Sequence, residues 1–217
     1  MSKLINIICA FCLVTIAMAF QCKKEVYTDP PKQDFLEKIK LSPAKKVYNI
    51  GDTIWISFTT QDKSLYDAIS NQRLPTHAVR FLFGATLIPL DNTPLNPLGS
   101  LGDFIVSNGL TANIFSNPSG SSISWYLGCD NSQRYDIRLG VSVKYQGTYL
   151  LEVSFRRSDI EPCSNQNNPY PNSSILFTFD LPDTNKDVYL TIPQSKRIDP
   201  LYERQVDSKV GYAFKVQ

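Results

Sequence analysis

Between residues 53 and 60 the chain reads TIWISFTT, in which Ile54, Ile56 and Phe58 alternate with Trp55, Ser57 and Thr59. A period of two is what a strand buried on one face requires, because successive side chains leave opposite faces of the pleat. The same signature predicts strands at HAVRFLFG (77–84), LTANIF (110–115), SSISWYLG (121–128), RYDIRLGVSVKY (134–145), GTYLLEVSF (147–155), SILFTFDL (174–181), DVYLTI (187–192) and VGYAFKV (210–216). The connections NPSGSS, YQG, NNPYPNS and PDTNKD are built of turn-forming residues. No stretch beyond the first twenty residues holds a helical apolar period over ten residues, although KSLYDAIS (63–70) has room for one or two helical turns. Many short strands separated by turns predict an all-β fold, an antiparallel two-sheet sandwich. Residues 35–217 exceed a plain sandwich of roughly 100 residues. They read as one elaborated domain with long inserted loops at 85–108 and 157–173, with two smaller packed sandwiches as the competing arrangement.

Two segments carry a resemblance. In KYQGTYLLEV, Gly147 stands two residues before Tyr149 and an alternating strand follows, which resembles the tyrosine corner of immunoglobulin-like domains. LSPAKKVYNIGDTIWISF likewise resembles the first two strands of such domains in exported bacterial proteins. The resemblance implies an immunoglobulin-like sandwich and, for Tyr149, a hydroxyl bonded back to backbone.

The amino terminus has a different pattern. One lysine, Lys3, precedes an apolar run from Leu4 to Ala19 that closes on Ala17-Met18-Ala19, so residues 1–21 read as a signal peptide. A retained single-span anchor is the competing reading, since the run is near the lower limit of spanning length. Removing the segment leaves 217 − 21 = 196 residues, and the net charge of +2 falls to +1 with the loss of Lys3. A balanced surface of this kind excludes a broad basic field for nucleic acid.

Of five cysteines, Cys9 and Cys12 leave with the signal and Cys22, Cys129 and Cys163 stay. Export places them in an oxidising compartment, where an odd thiol calls for a reason. Cys129 and Cys163 lie in turn-rich segments, YLGCDNSQ and DIEPCSNQNNPYPNSS, and are expected to pair, with two separate buried thiols as the alternative. Such a bridge stabilises by roughly 3 to 4 kcal/mol in the chain-entropy model.

Cys22 is then left directly behind the signal and ahead of KKEVYTDPPKQ. This arrangement resembles bacterial lipoproteins of the Bacteroidota type, in which a cysteine, a charged proline-containing tether and β-rich domains follow one another. The resemblance implies lipidation of Cys22 and anchoring in the outer membrane, facing the periplasm or the surface, by more than one acyl chain. The chain departs from the family's cleavage motif at Phe20-Gln21, and ordinary cleavage after Ala19 would release a protein starting at Phe20. Residues 22–34 read as a flexible tether with a reach of roughly 40 Å.

Catalytic signatures are sparse. SPAK (42–45) has the letters of S-x-x-K but Pro43 sits between expected strands, there is no G-x-S-x-G, and His77 is the single histidine. Asp183, Asn185 and Asp187 alternate as in a calcium loop but lack its glycine and its final glutamate, so DTNKDV reads as a polar hairpin turn with no metal. Glu152, Asp136, Asp159 and Glu161 are the carboxylates available to a hydrolase, and nothing in the pattern pairs them. Aromatics remain. Trp125 and Tyr126 are neighbours in one strand and so point to opposite faces, and Tyr170 sits in the Pro-rich loop NNPYPN, so these three are the ligand-binding candidates, with Trp125 as a core residue the alternative. The expectation is a non-enzymatic binding protein of the cell envelope without cofactors. Glycan or nutrient capture comes first, adhesion or assembly with an envelope protein second, and a secreted hydrolase third.

Overall fold

The computed structural model describes residues 32–90, 100–106, 112–117, 120–153, 158–164, 167–197 and 201–217. The signal segment, Cys22 and the tether as far as residue 31 lie outside the described residues. The Gln33 amide donates to Ser173 Oγ at 3.0 Å, and the first described strand opens at Asp34.

Two sheets pack face to face. The eight-stranded sheet runs β12 (Ser158–Asp159), β14 (Ser174–Phe179), β1 (Asp34–Ser42), β3 (Thr53–Thr59), β10 (Asp136–Val143) and β7 (Gly102–Val106), with the hairpin β4 (Ser64–Asp67) and β5 (Gln72–Pro75) joined to β1. The seven-stranded sheet runs β2 (Val47–Tyr48), β15 (Gly211–Val216), β11 (Gly147–Val153), β6 (Val79–Pro89), β9 (Gly120–Gly128) and β8 (Asn113–Asn117), with β13 (Glu161–Pro162) on β6. Pairing is antiparallel except for β1 with β14 and β15 with β2, which are parallel. The spatial order β1-β3-β10-β7 over β15-β11-β6-β9-β8 follows that of an immunoglobulin variable-type sandwich. The connectivity departs from it after β6, because β7 joins the opposite sheet before β8 and β9 return.

Alternation explains the core. Ile54, Ile56 and Phe58 of β3, Phe81 and Phe83 of β6, Ile137, Leu139 and Val141 of β10 and Phe177 of β14 all point between the sheets and are buried. Each such side chain contributes roughly 1.5–3 kcal/mol by leaving water. At the head of β11, Gly147 takes φ +154°, where a Cβ would press within 3.2 Å of the Tyr149 ring, and the Tyr149 hydroxyl donates to the Tyr145 carbonyl at 3.0 Å. That is the bond implied by a tyrosine corner.

Several segments differ from their sequence reading. DVYLTI is not a strand: Asn185 turns the chain through the left-handed region (φ 59°), and α1 (Lys186–Leu190) follows. Its Val188, Tyr189 and Ile192 join Ile88, Leu90, Leu150 and Ala213 in a second apolar cluster on the outer face of the seven-stranded sheet. A second helix, α2 (Leu201–Asp207), adds its buried Val206 to that cluster. DTNKDV is therefore the entry to a helix rather than a hairpin turn. KSLYDAIS contains β4 instead of helical turns. Of the expected loops, 85–108 holds the end of β6 and all of β7, with 91–99 outside the described residues, and 157–173 holds β12 and β13.

Candidate functional site

A concavity sits where the eight-stranded sheet divides. β1 pairs with β4 at Phe35 and with β3 only from Lys40 onward. Between these contacts the edge of β1 is left open among the described strands, and a cleft of about 600 Å3 forms there, walled by Leu36, Phe58 and Tyr66. Its base is charged. Phe35, Glu37, Ile39 and Leu41 share the inward phase of β1, so Glu37 occupies a core position and is only 6% exposed.

A buried carboxylate requires partners. Glu37 Oε1 accepts from the Tyr66 amide at 2.8 Å and from Arg73 Nη2 at 2.9 Å. Arg73 is itself held by Ser64, its Nε donating to Oγ at 3.0 Å and Nη2 to the carbonyl at 2.7 Å, while Ser64 Oγ donates to Asp62. Burial raises the Glu37 carboxyl above its ordinary value, opposed by the Tyr66 amide and by Arg73. Two groups keep spare capacity: among the described residues nothing donates to Glu37 Oε2, and Arg73 Nη1 donates to nothing. A carboxylate and a guanidinium thus line the cleft beside apolar and aromatic residues, the usual make-up of a small-molecule seat.

The residues picked from sequence lie elsewhere. Trp125 is 3% exposed, its ring 5.0 Å from Phe83 in the core, so it presents nothing to a ligand and the core reading of this residue holds. Its Nε1 is buried without an acceptor. Tyr126 faces outward at 50% exposure, with the Arg80 guanidinium 4.5 Å from its ring and Arg80 Nε bonded to Glu161 Oε2 at 3.0 Å. It borders a smaller concavity of about 320 Å3 with Asp130, Ser132 and Arg134. Tyr170 is half-buried, edge-on to Phe35, and its hydroxyl donates to the Pro75 carbonyl at 2.6 Å, which makes it a brace for its loop.

The Cys129–Cys163 bridge is formed, with Cα atoms 5.1 Å apart, and it ties the end of β9 to the chain leaving β13. Gly128 precedes it at φ +119°, and a Cβ there would collide with the Val79 carbonyl. Beneath the bridge the buried Lys63 donates to the Asp130 carbonyl at 2.6 Å and pairs with the Asp130 carboxylate.

The four carboxylates available to a hydrolase are not assembled. Asp136 accepts from Thr59 on the eight-stranded sheet, Asp159 lies beside Ser174, Glu161 is paired with Arg80, and Glu152 is buried on the outer face of the other sheet. Among the described residues no group of three or more His, Cys, Asp or Glu is disposed to hold a metal. Within the same residues no helix is long and apolar enough to cross a membrane.

No protein-family model matches the chain, and no curated protein does at a significant level. Among solved structures, the human F-spondin reeler domain is similar over 90% of this chain and 100% of its own, at 10% identity and a TM-score of 0.34. The type II cohesin dyad from the adaptor ScaA scaffoldin of Acetivibrio cellulolyticus matches over 67% of this chain and 47% of its own, at 10% identity and a TM-score of 0.29. The lectin domain of PapG from E. coli BI47 matches over 69% and 92%, at 10% identity and a TM-score of 0.18. Scores of this size assign neither a family nor an activity.

Proposed function

We propose that this protein is an exported envelope protein, anchored through lipid on Cys22, whose sandwich captures a glycan or a fragment of one in the cleft between β1, β3 and β4. One observation carries the reading: the bonded pair Glu37 and Arg73 lines the cleft together with Phe58 and Tyr66. A sugar hydroxyl both donates and accepts, so adjacent hydroxyls satisfy a carboxylate oxygen and a guanidinium N–H together. The apolar face of a pyranose fits the Tyr66 ring. The pair is pre-set by Ser64 and the Tyr66 amide, which reduces the ordering cost of binding.

Isothermal titration calorimetry against a panel of oligosaccharides and polysaccharides tests this. At least one glycan should bind, and Arg73→Ala should abolish that binding while Tyr126→Ala leaves it in place. A panel without any binder removes the reading. The anchor is tested separately by intact mass of the protein from its native membrane, where a lipid-sized excess on a chain starting at Cys22 is expected and a chain starting at Phe20 refutes it.

A second reading, docking of a protein partner, rests on β8. This outermost strand exposes Ile114 at 60% and Phe115 at 63%, and an apolar edge strand is a template for an added strand.

A further inference from the structure

α2 lies on the outer face of the seven-stranded sheet, with Val206 fully buried in the cluster that holds Leu150 and Ala213. Gly211 of β15 sits directly beneath it: a Cβ there would lie 2.8 Å from Leu150 Cδ1 and 3.3 Å from both the carbonyl carbon and the Cβ of Gln205. Gly211 is also the cross-strand partner of Glu152 in β11. Cross-strand partners project to the same face with Cβ positions about 5 Å apart. Glu152 from the sheet and Gln205 from the helix therefore both adjoin Gly211 on this face. Each brings a buried acceptor that no donor reaches, Glu152 Oε2 and Gln205 Oε1. Two buried acceptors without donors, on residues that flank the same glycine, are doubly unfavourable. A single proton on Oε2 turns one into a donor for the other and removes the buried charge as well.

We propose that Glu152 is protonated in the folded protein and donates a hydrogen bond from Oε2 to Gln205 Oε1, so that a proton latches α2 onto the sheet. Burial alone pushes the Glu152 carboxyl up, to about 7. The surrounding elements supply no opposing described charge. β6 offers Thr86 and β15 offers Gly211 at the paired positions, Glu203 and Asp207 of α2 are both paired with Lys186, Tyr202 packs on the apolar cluster, and Arg204 is exposed. Residues 154–157, with Arg156 and Arg157, lie outside the described residues. Rising pH removes the proton and leaves a carboxylate facing a carbonyl oxygen, which loosens the seat of α2.

Hydrogen–deuterium exchange of the full-length protein, corrected for the intrinsic pH dependence of exchange, tests the latch. Protection of 201–210 should fall by on the order of tenfold or more between pH 5.5 and 8.5. In Glu152→Gln, whose amide donates at every pH, protection should stay level. An unchanged wild type, or the same fall in the variant, overturns the proposal. Should the variant fail to fold, carboxyl carbon NMR of the wild type decides: a Glu152 midpoint near 7 supports the latch, and an ordinary midpoint near 4.5 overturns it.

Discussion

Glu37 and Glu152 occupy matching situations in opposite sheets and reach opposite outcomes. Each stands two residues from a buried apolar side chain, Glu37 from Phe35 and Ile39 and Glu152 from Leu150, and each is almost completely buried, at 6% and 1% exposure. Desolvation raises both carboxyls. At the split of the eight-stranded sheet, the divergence of β3 and β4 leaves room for an amide and a guanidinium, so Glu37 keeps partners that favour its charge. Under α2 no donor reaches Glu152 Oε2, and Gln205, which adjoins the paired Gly211, carries a second buried acceptor without a donor. The comparison teaches that burial alone does not set the role of a carboxyl. The partner that the local packing admits decides whether a buried carboxyl is held by donors or left without them.

The largest test concerns the layer that covers Glu152. Leu150→Ala removes a fully buried side chain between sheet and helices, and a loss of about 2–5 kcal/mol is expected by urea denaturation. A loss no larger than that of a surface substitution would mean that the helices contribute nothing to the fold. Next is pH. The folded chain holds the Glu152 proton more tightly than the unfolded one, so the contribution is fully present below about 4.5 and is lost as pH rises through about 7. Wild-type stability should therefore decline by ~2–3 kcal/mol across that window, and Glu152→Gln should flatten the decline. Parallel pH profiles for the two proteins would break the contrast between the two acids.

Arg73→Ala is expected to cost about 1–3 kcal/mol at pH 7 by leaving Glu37 with the Tyr66 amide as its remaining partner. The loss should shrink near pH 4, where Glu37 takes up a proton instead. The smallest effect belongs to Tyr126→Ala, which removes an outward ring stacked by Arg80 and should change stability by about 0.5–1 kcal/mol in thermal melts.

Much of the sandwich was legible because alternation is a local property. β3, β9, β10, β11, β14 and β15 coincide with their apolar-polar patterns to within a few residues, and the Gly147–Tyr149 spacing located the corner. The same rule concealed β1: with Glu37 in the inward phase, DFLEKIKLS does not alternate cleanly. An acid in the apolar phase of a strand was the signal available for the cleft, and it sits two residues from either neighbouring core side chain. Arg73 gave no signal, since its value comes from a hairpin folding back on β1. DVYLTI misled because Val188, Tyr189 and Ile192 suit a strand by composition, and the left-handed turn at Asn185 and a waiting apolar face made it a helix.

Sequence alone determined the all-β class and most strand positions and made a Cys129–Cys163 pair the expectation, because strand periodicity is readable within short windows and cysteines can be counted; the structure formed the bridge. Only the tertiary structure decided that Trp125 is core, that Tyr170 is a brace, that the sheet splits beside Glu37, and that Glu152 lies beneath α2. Those outcomes depend on which distant segments arrive next to a side chain. A pattern along one strand does not contain that information.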